Sequence, residues 1–268
     1  MRAETAAAVR AARLAQRIAD SRDGADTVRI KQGIDIVTAA DLACEDAIRA
    51  ELTRSFPDYP VIGEERGGEV RAGVPYWLVD PICGTRCYAS NVPLYCTNIA
   101  LVEDGEVTAA AIGVGRSNEV LYAEKGSGAR LIDAAGDASD AALADSASVA
   151  ASTASDVLWI HGYGQAMAEL ARRMWLADRW YLWTFGSTVG YAYLAMGRIA
   201  GVVHVAHETQ RFEPPVHTAA GCLVAAEAGA TVTDLDSGAA WTLATRSFVI
   251  AATPGLHREL SELAKAMA

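Results

Sequence analysis

Two short apolar runs of this 268-residue chain end in carboxylates. Val61-Ile62 passes through Gly63 into Glu64-Glu65, and Tyr76-Trp77-Leu78-Val79 passes into Asp80-Pro81-Ile82-Cys83-Gly84-Thr85. Acids at strand ends in a sheet flanked by helices are a usual seat of metal or substrate chemistry, while solvated loop carboxylates are the commoner case in any one protein. Position alone leaves both readings open. A third acid, Asp41, stands three residues after Thr38 at the head of a helical stretch. Its spacing favours a capping box over a carboxylate facing a cation. The five cysteines (Cys44, Cys83, Cys87, Cys96, Cys222) form an odd set with no secretory run before them, which predicts a reducing, cytoplasmic compartment. Any one of them is by default inert packing.

Composition narrows the partners. The net charge is −10 and the basic residues are scattered, so the clustered positive charge that nucleic-acid binding needs is lacking. Hydrophobic residues make up 51% and charged residues 21%, the balance of a folded globular chain. The longest apolar stretches, such as Val107 to Val114, fall far short of the ~20 residues that span a bilayer. A small-molecule substrate is the remaining partner class, with neither nucleic acid nor membrane.

The elements that must position these residues follow from periodicity. Residues 1–20 place Val9, Leu14 and Ile18 at near-helical spacing among arginines, predicting a docked amphipathic helix. A second helix runs from the Thr38 cap to Pro57, with Leu42, Ile48, Leu52 and Phe56 along one face. Strands over Thr97–Val102, Val107–Val114 and Val120–Glu124, separated by glycine turns, read as an antiparallel meander. The Ala/Asp/Ser-rich stretch from Asp133 to Ala154 marks a boundary, giving an α+β half over 1–145 and an α/β half over 146–268. In the latter, strands (Val157–His161, Arg179–Trp183, Ile199–His204, Phe248–Ala251) alternate with helices (Gln165–Trp175, Ser187–Met196, Thr218–Glu227).

Taken in order, Lys31-x-x-x-Asp35-x-Val37-Thr38-x-x-Asp41, Phe56-Pro57, Gly63-Glu64-Glu65 and Trp77-x-Val79-Asp80-Pro81-Ile82-x-Gly84-Thr85 resemble the inositol monophosphatase family. Ile99-Ala100-Leu101, Gly126-Ser127-Gly128-Ala129, Gly186-Ser187, Met196-Gly197-Arg198 and Ala219-Ala220-Gly221 extend the likeness over nearly the whole chain. The resemblance implies an α+β or α/β fold, a layered αβαβα sandwich, a homodimer, and Mg²⁺-dependent hydrolysis of small phosphate monoesters. It implies a first Mg²⁺ on Glu64, Asp80 and the Ile82 carbonyl, with Glu64 and Thr85 orienting the attacking water. It implies substrate contacts from Gly84, Thr85, Arg86, Gly186, Ser187 and the position of His204.

The departures are as informative as the matches. The second cation of the family uses the first Asp of Asp-Pro-Ile-Asp-Gly-Thr, the second Asp of that motif, and an Asp before the last helix signature. The last two positions here are Cys83 and His217. A thiol and an imidazole in place of two carboxylates remove hard oxygen donors and weaken Mg²⁺ binding there. Three readings follow: a phosphatase whose second site takes Zn²⁺ or no metal, with Cys83, His217 and Asp41 as further candidate ligands; a metal-independent enzyme using a Cys83/His217 pair for nucleophilic or acid–base catalysis; or, ranked last, a non-catalytic binding protein. The first two require Cys83 and His217 to be neighbours. The segment from His204 to His217, with His207, Glu208 and Glu213, reads as a lid or specificity loop. Trp175, Trp180 and Trp183 offer apolar area for an interface, with core packing the expected role for any one of them.

Overall fold

The strand Tyr76–Cys83 shows how the layers arise, because its side chains alternate between two different cores. Trp77 and Val79 face a layer of helices, and Leu78 faces the opposite layer. The computed structural model describes residues 1–21, 28–32, 35–143, 157–162, 164–184, 186–206 and 215–265. Five layers stack in the order helix, sheet, helix, sheet, helix, which is the αβαβα arrangement expected.

The first layer holds α1 (Ala3–Asp20) and α2 (Ala39–Ser55). The buried face of α1 is a stripe of alanines, Ala7, Ala8, Ala11, Ala12, Ala15 and Ala19, with Leu14 and Ile18 at its margins. Small side chains let the helix backbone approach the sheet closely; of the larger residues whose spacing predicted this docked helix, Val9 is buried, Ile18 packs at the edge of the core and Leu14 is half-buried. On α2 the buried line runs through Cys44, Ile48 and Leu52, while Leu42 is only half-buried. Burial of Ile48 and Leu52 contributes about 1.5–3 kcal/mol each. A short hairpin, β1 (Arg29–Gln32) and β2 (Asp35–Val37), leads into α2.

The first sheet has seven strands in sequence order: β3 (Val61–Gly63), β4 (Tyr76–Cys83), β5 (Cys96–Glu103), β6 (Glu106–Val114), β7 (Glu119–Glu124), β8 (Ala129–Ile132) and β9 (Ala138–Asp140). Only β3 and β4 are parallel; the rest form the predicted antiparallel meander and its extension. A one-turn helix, α3 (Thr85–Ala89), follows β4. The second sheet has the order β11-β10-β12-β14-β13, built from β10 (Val157–Gly162), β11 (Tyr181–Trp183), β12 (Gly201–Val205), β13 (Thr231–Asp234) and β14 (Phe248–Ala251). Strands β10, β11 and β12 are parallel, and β14 runs antiparallel to β12 and β13.

Between the sheets lie α5 (Val189–Ala195) and α6 (Ala219–Glu227), and α4 (Gly164–Leu176) and α7 (Pro254–Lys265) cover the outer face of the second sheet. The central layer is tight: a Cβ on Gly221 would sit 2.3 Å from the Tyr191 ring. Strand β13 and helix α7 were not anticipated, β13 because four half-buried edge residues carry little periodic signal. Residues 144–156 of the expected boundary, and 207–214 of the expected loop, lie outside the described residues. Trp175 and Trp183 are exposed, contrary to the core role expected of them, while Trp180 is half-buried under Arg179. Among the described residues no helix is long and apolar enough to cross a membrane.

Candidate active site

Parallel strands β3 and β4 end at one edge of the first sheet, beside the N-terminus of α2, and this places three acids together. Glu64 follows β3 directly, its N–H donating to the Val79 carbonyl at 3.0 Å. The turn that holds it is closed by reciprocal 3.0 Å backbone bonds between Gly63 and Gly67. Beneath it lies Glu45, a fully buried carboxylate that the sequence reading did not single out. Its oxygens accept from the N–H groups of Glu65 at 2.7 Å and Arg66 at 3.0 Å, and from Arg49 Nε at 2.8 Å. Gly63 is required there, since a Cβ would stand 2.0 Å from Glu45 Oε1.

On β4 the regular alternation breaks between Asp80 and Cys83, where the pairing with β5 shifts register. A bulge puts one extra residue on its strand. Ile82 consequently packs with the α1/α2 layer and Cys83 with the central layer. Asp80 and Cys83, three apart, thereby reach the same side, where His217 arrives just ahead of α6. One ligand atom from each of Asp80, Cys83 and His217 lies within 4.8 Å of the others. His217 Nδ1 is 2.7 Å from Asp80 Oδ2, and its side chain is 32% exposed. Burial opposes a charge on His217, but the Glu64 and Asp80 carboxylates outweigh it and hold the imidazole pKa well above its usual value.

Cys83 Sγ accepts two hydrogen bonds from Thr188, from the N–H at 3.3 Å and from the hydroxyl at 3.1 Å. Asn98, buried on β5, donates to Thr188 Oγ1 at 3.0 Å and to the His217 carbonyl at 3.2 Å. A hydrogen bond with Cys96, burial and the Asp80 charge together push the Cys83 thiol up, with His217 pulling weakly the other way. Neither Thr188 nor Asn98 carried a sequence signal beyond its neighbourhood to Ser187 and Ile99.

Asp41 caps α2 as the spacing predicted: Thr38 N–H donates to its Oδ2 at 2.8 Å and the Thr38 hydroxyl accepts from Asp41 N. Its other oxygen accepts from the Thr85 hydroxyl at 3.1 Å, which is also 3.1 Å from the Ile82 carbonyl. Burial pushes Asp41 up to about 6, with the Thr38 and Thr85 bonds partly offsetting it. The β1–β2 hairpin carries Lys31 over the acids, 2.9 Å from Glu64 Oε1 and 2.5 Å from Glu65 Oε1. Burial still pushes Glu65 up to about 7, and burial and the Asp80 charge raise Glu64. Two carboxylate oxygens, Glu64 Oε2 and Asp80 Oδ1, are buried without a hydrogen-bond partner. An orphaned anionic oxygen is costly in a dry site, and a hard cation between two such oxygens removes the cost. The donor set fits Mg²⁺.

The other expected residues lie close by or apart. Gly84 adopts φ 98°, where a Cβ would be 2.8 Å from Ser187. Ser187 is fully buried and donates to the Cys83 carbonyl at 3.0 Å. Gly186 and Arg86 are exposed. His204 lies in the core between the sheets, stacked on Phe248 with ring centroids 4.7 Å apart and Nδ1 2.8 Å from the Tyr191 hydroxyl.

Comparison with known proteins identifies the family and the fold. The sequence matches the model described as the inositol monophosphatase family over residues 1–267. It is 32% identical over 213 residues to the fructose-1,6-bisphosphatase/inositol-1-monophosphatase of Thermotoga maritima, covering 78% of this chain and 75% of that one. Identity reaches 41% with the protein named Nus factor SuhB of Xylella fastidiosa, but over 101 residues, 38% of this chain and 36% of that protein's length. The solved structure titled Thermotoga maritima IMPase superposes with a TM-score of 0.81 at 27% identity, covering 97% of this chain and 95% of that one.

Proposed function

From the premise that this chain belongs to the inositol monophosphatase family, we propose that it hydrolyses the phosphate monoester of a small polyhydroxy compound, a cyclitol, sugar or nucleotide, with one hard cation and a rebuilt second site. The observation that carries this reading is the pair of buried, unpartnered oxygens, Glu64 Oε2 and Asp80 Oδ1, on two carboxylates close enough for the charge of Asp80 to raise Glu64. Glu64, Asp80 and the Ile82 carbonyl would hold the ion. A divalent cation there polarises the phosphate and makes a bound water acidic.

The chain's own groups do the rest. Thr85 Oγ1 stands between Asp41 Oδ1 and the Ile82 carbonyl, so its hydroxyl can accept a water proton's hydrogen bond while handing its own hydrogen to Asp41. With a pKa near 6, Asp41 is a base suited to neutral pH. Lys31 neutralises Glu64 and Glu65 at the rim. Asp80 divides its carboxylate: Oδ2 is held by His217, and Oδ1 is left for the cation.

The metal-independent alternative is weakened by the raised thiol pKa of Cys83, since a nucleophilic cysteine needs the thiolate. A homodimer is supported by exposed Trp175, Leu176 and Tyr181 on the second half, and a cytoplasmic setting by five free thiols. The test is phosphate release from small monoesters during Mg²⁺ titration. Cation-dependent turnover is expected; turnover that survives chelation and disappears in Cys83→Ala would establish the thiol mechanism instead.

A further inference from the structure

We propose that Asp80, Cys83 and His217 form a binding site for a borderline divalent metal of the Zn²⁺ class, with one coordination position open to the substrate pocket. The inference deepens the phosphatase reading of the same pocket and rests on it, sharing only Asp80 among its donors. Carboxylate, thiolate and imidazole are the donor types that zinc takes. Three protein ligands with a fourth position free is the pattern of catalytic zinc sites, as opposed to closed structural ones.

Geometry supports closure. The three ligand atoms lie within 4.8 Å of one another, and ligands around a tetrahedral zinc stand about 3.3–3.8 Å apart given its bond lengths. Asp80 Oδ2 and His217 Nδ1, 2.7 Å apart in a hydrogen bond, would separate slightly and give up the shared proton as the ion enters. Asp80 is fully buried with Oδ2 on His217 and Oδ1 unpartnered, so one carboxylate can serve this site through Oδ2 and the Glu64 side through Oδ1. Two negative charges, one on Asp80 and one on a metal-bound Cys83, match the ion.

A second observation points to a ligand and not to an inert thiol. Two donors from Thr188 converge on Cys83 Sγ, and Asn98 fixes both that hydroxyl and the His217 backbone. N–H and O–H groups aimed at sulfur stabilise negative charge on it, and outer partners of this kind hold first-shell ligands in place. A thiol serving only to fill space has no need of them.

Co²⁺ replaces zinc and reports sulfur ligation as an intense near-ultraviolet charge-transfer absorption. Chelator-stripped full-length protein titrated with Co²⁺ should develop that absorption at one equivalent, and excess Mg²⁺ should leave it. Cys83→Ser should abolish it, Thr188→Val should weaken Co²⁺ affinity by about 10–100-fold, and Cys87→Ser should change neither. Glu64→Gln should remove Mg²⁺-dependent turnover yet keep the absorption, which separates failure of this site from failure of the phosphatase reading. If Cys83→Ser folds poorly, Thr188→Val carries the test. Co²⁺ binding without the charge-transfer absorption, or an unaltered titration in Thr188→Val, overturns the proposal.

Discussion

The two halves of the pocket differ in donor chemistry while sharing one residue. On one side Glu64, Asp80 Oδ1 and the Asp41–Thr85 pair present oxygen, two of these oxygens without partners. On the other, Asp80 Oδ2, Cys83 and His217 bring a carboxylate, a sulfur and a ring nitrogen together. The oxygen side is held by local devices: a helix cap, a Gly63–Gly67 turn and Glu45 beneath it. The sulfur–nitrogen side is assembled across layers from β4, β5 and the entries to α5 and α6. Substitutions that leave Asp80 in place can therefore act mainly on one side, the two staying linked through the charges of Glu64, Asp80 and His217.

That contrast can be broken most severely at its shared member. Asp80→Asn should lower kcat/KM by about 10³-fold and weaken both cation classes, because one residue serves both sides. Thr85→Val should act on the oxygen side alone, reducing kcat by about 10²-fold with little change in KM and no change in Co²⁺ binding. Cys83→Asp should tilt the other side toward oxygen, raising Mg²⁺ affinity about tenfold in isothermal titration and eliminating the cobalt–sulfur absorption.

Smaller effects sharpen the picture. Glu45→Ala should cost about 2–3 kcal/mol in denaturant unfolding, since a buried carboxylate holding two N–H groups and Arg49 is lost. The cation-free protein should also lose stability as pH rises. Asp41 and Glu65 have folded pKa values raised to about 6 and about 7, so their protonated forms favour the fold below the unfolded values near 4. That contribution disappears as pH climbs through 6 to 7, and the gain in melting temperature from Mg²⁺ should be larger at pH 7.5 than at pH 5. An equal gain at both would show that these carboxylates do not feel the ion.

Much of this was legible in the chain itself. The Thr38–Asp41 cap, the meander and the β–α alternation of the second half rest on local signals of capping, turn and periodicity, and each appears where it was placed. The adjacency of Cys83 and His217 followed from family resemblance alone, because the 133 intervening positions carry no local information about it. Glu45, Thr188 and Asn98 were invisible for a related reason: each acts through a tertiary contact, and nothing about a Glu in mid-helix or a Thr after Ser187 announces its partner. The docked amphipathic α1 was legible as well, Val9 and the alanines being buried, since close helix–sheet approach selects small residues on the apolar face.

Thr188 and Ser187 reach Cys83 from the second half of the chain, and Asn98 reaches His217 from the first, so the chemistry sits where a few polar bonds cross at the edge of the apolar layer the two sheets share. Each sheet also has an apolar interior that does not depend on those bonds. Removing one of these polar bonds should therefore silence the enzyme while its circular dichroism still looks native, because the shared apolar layer keeps the sheets together.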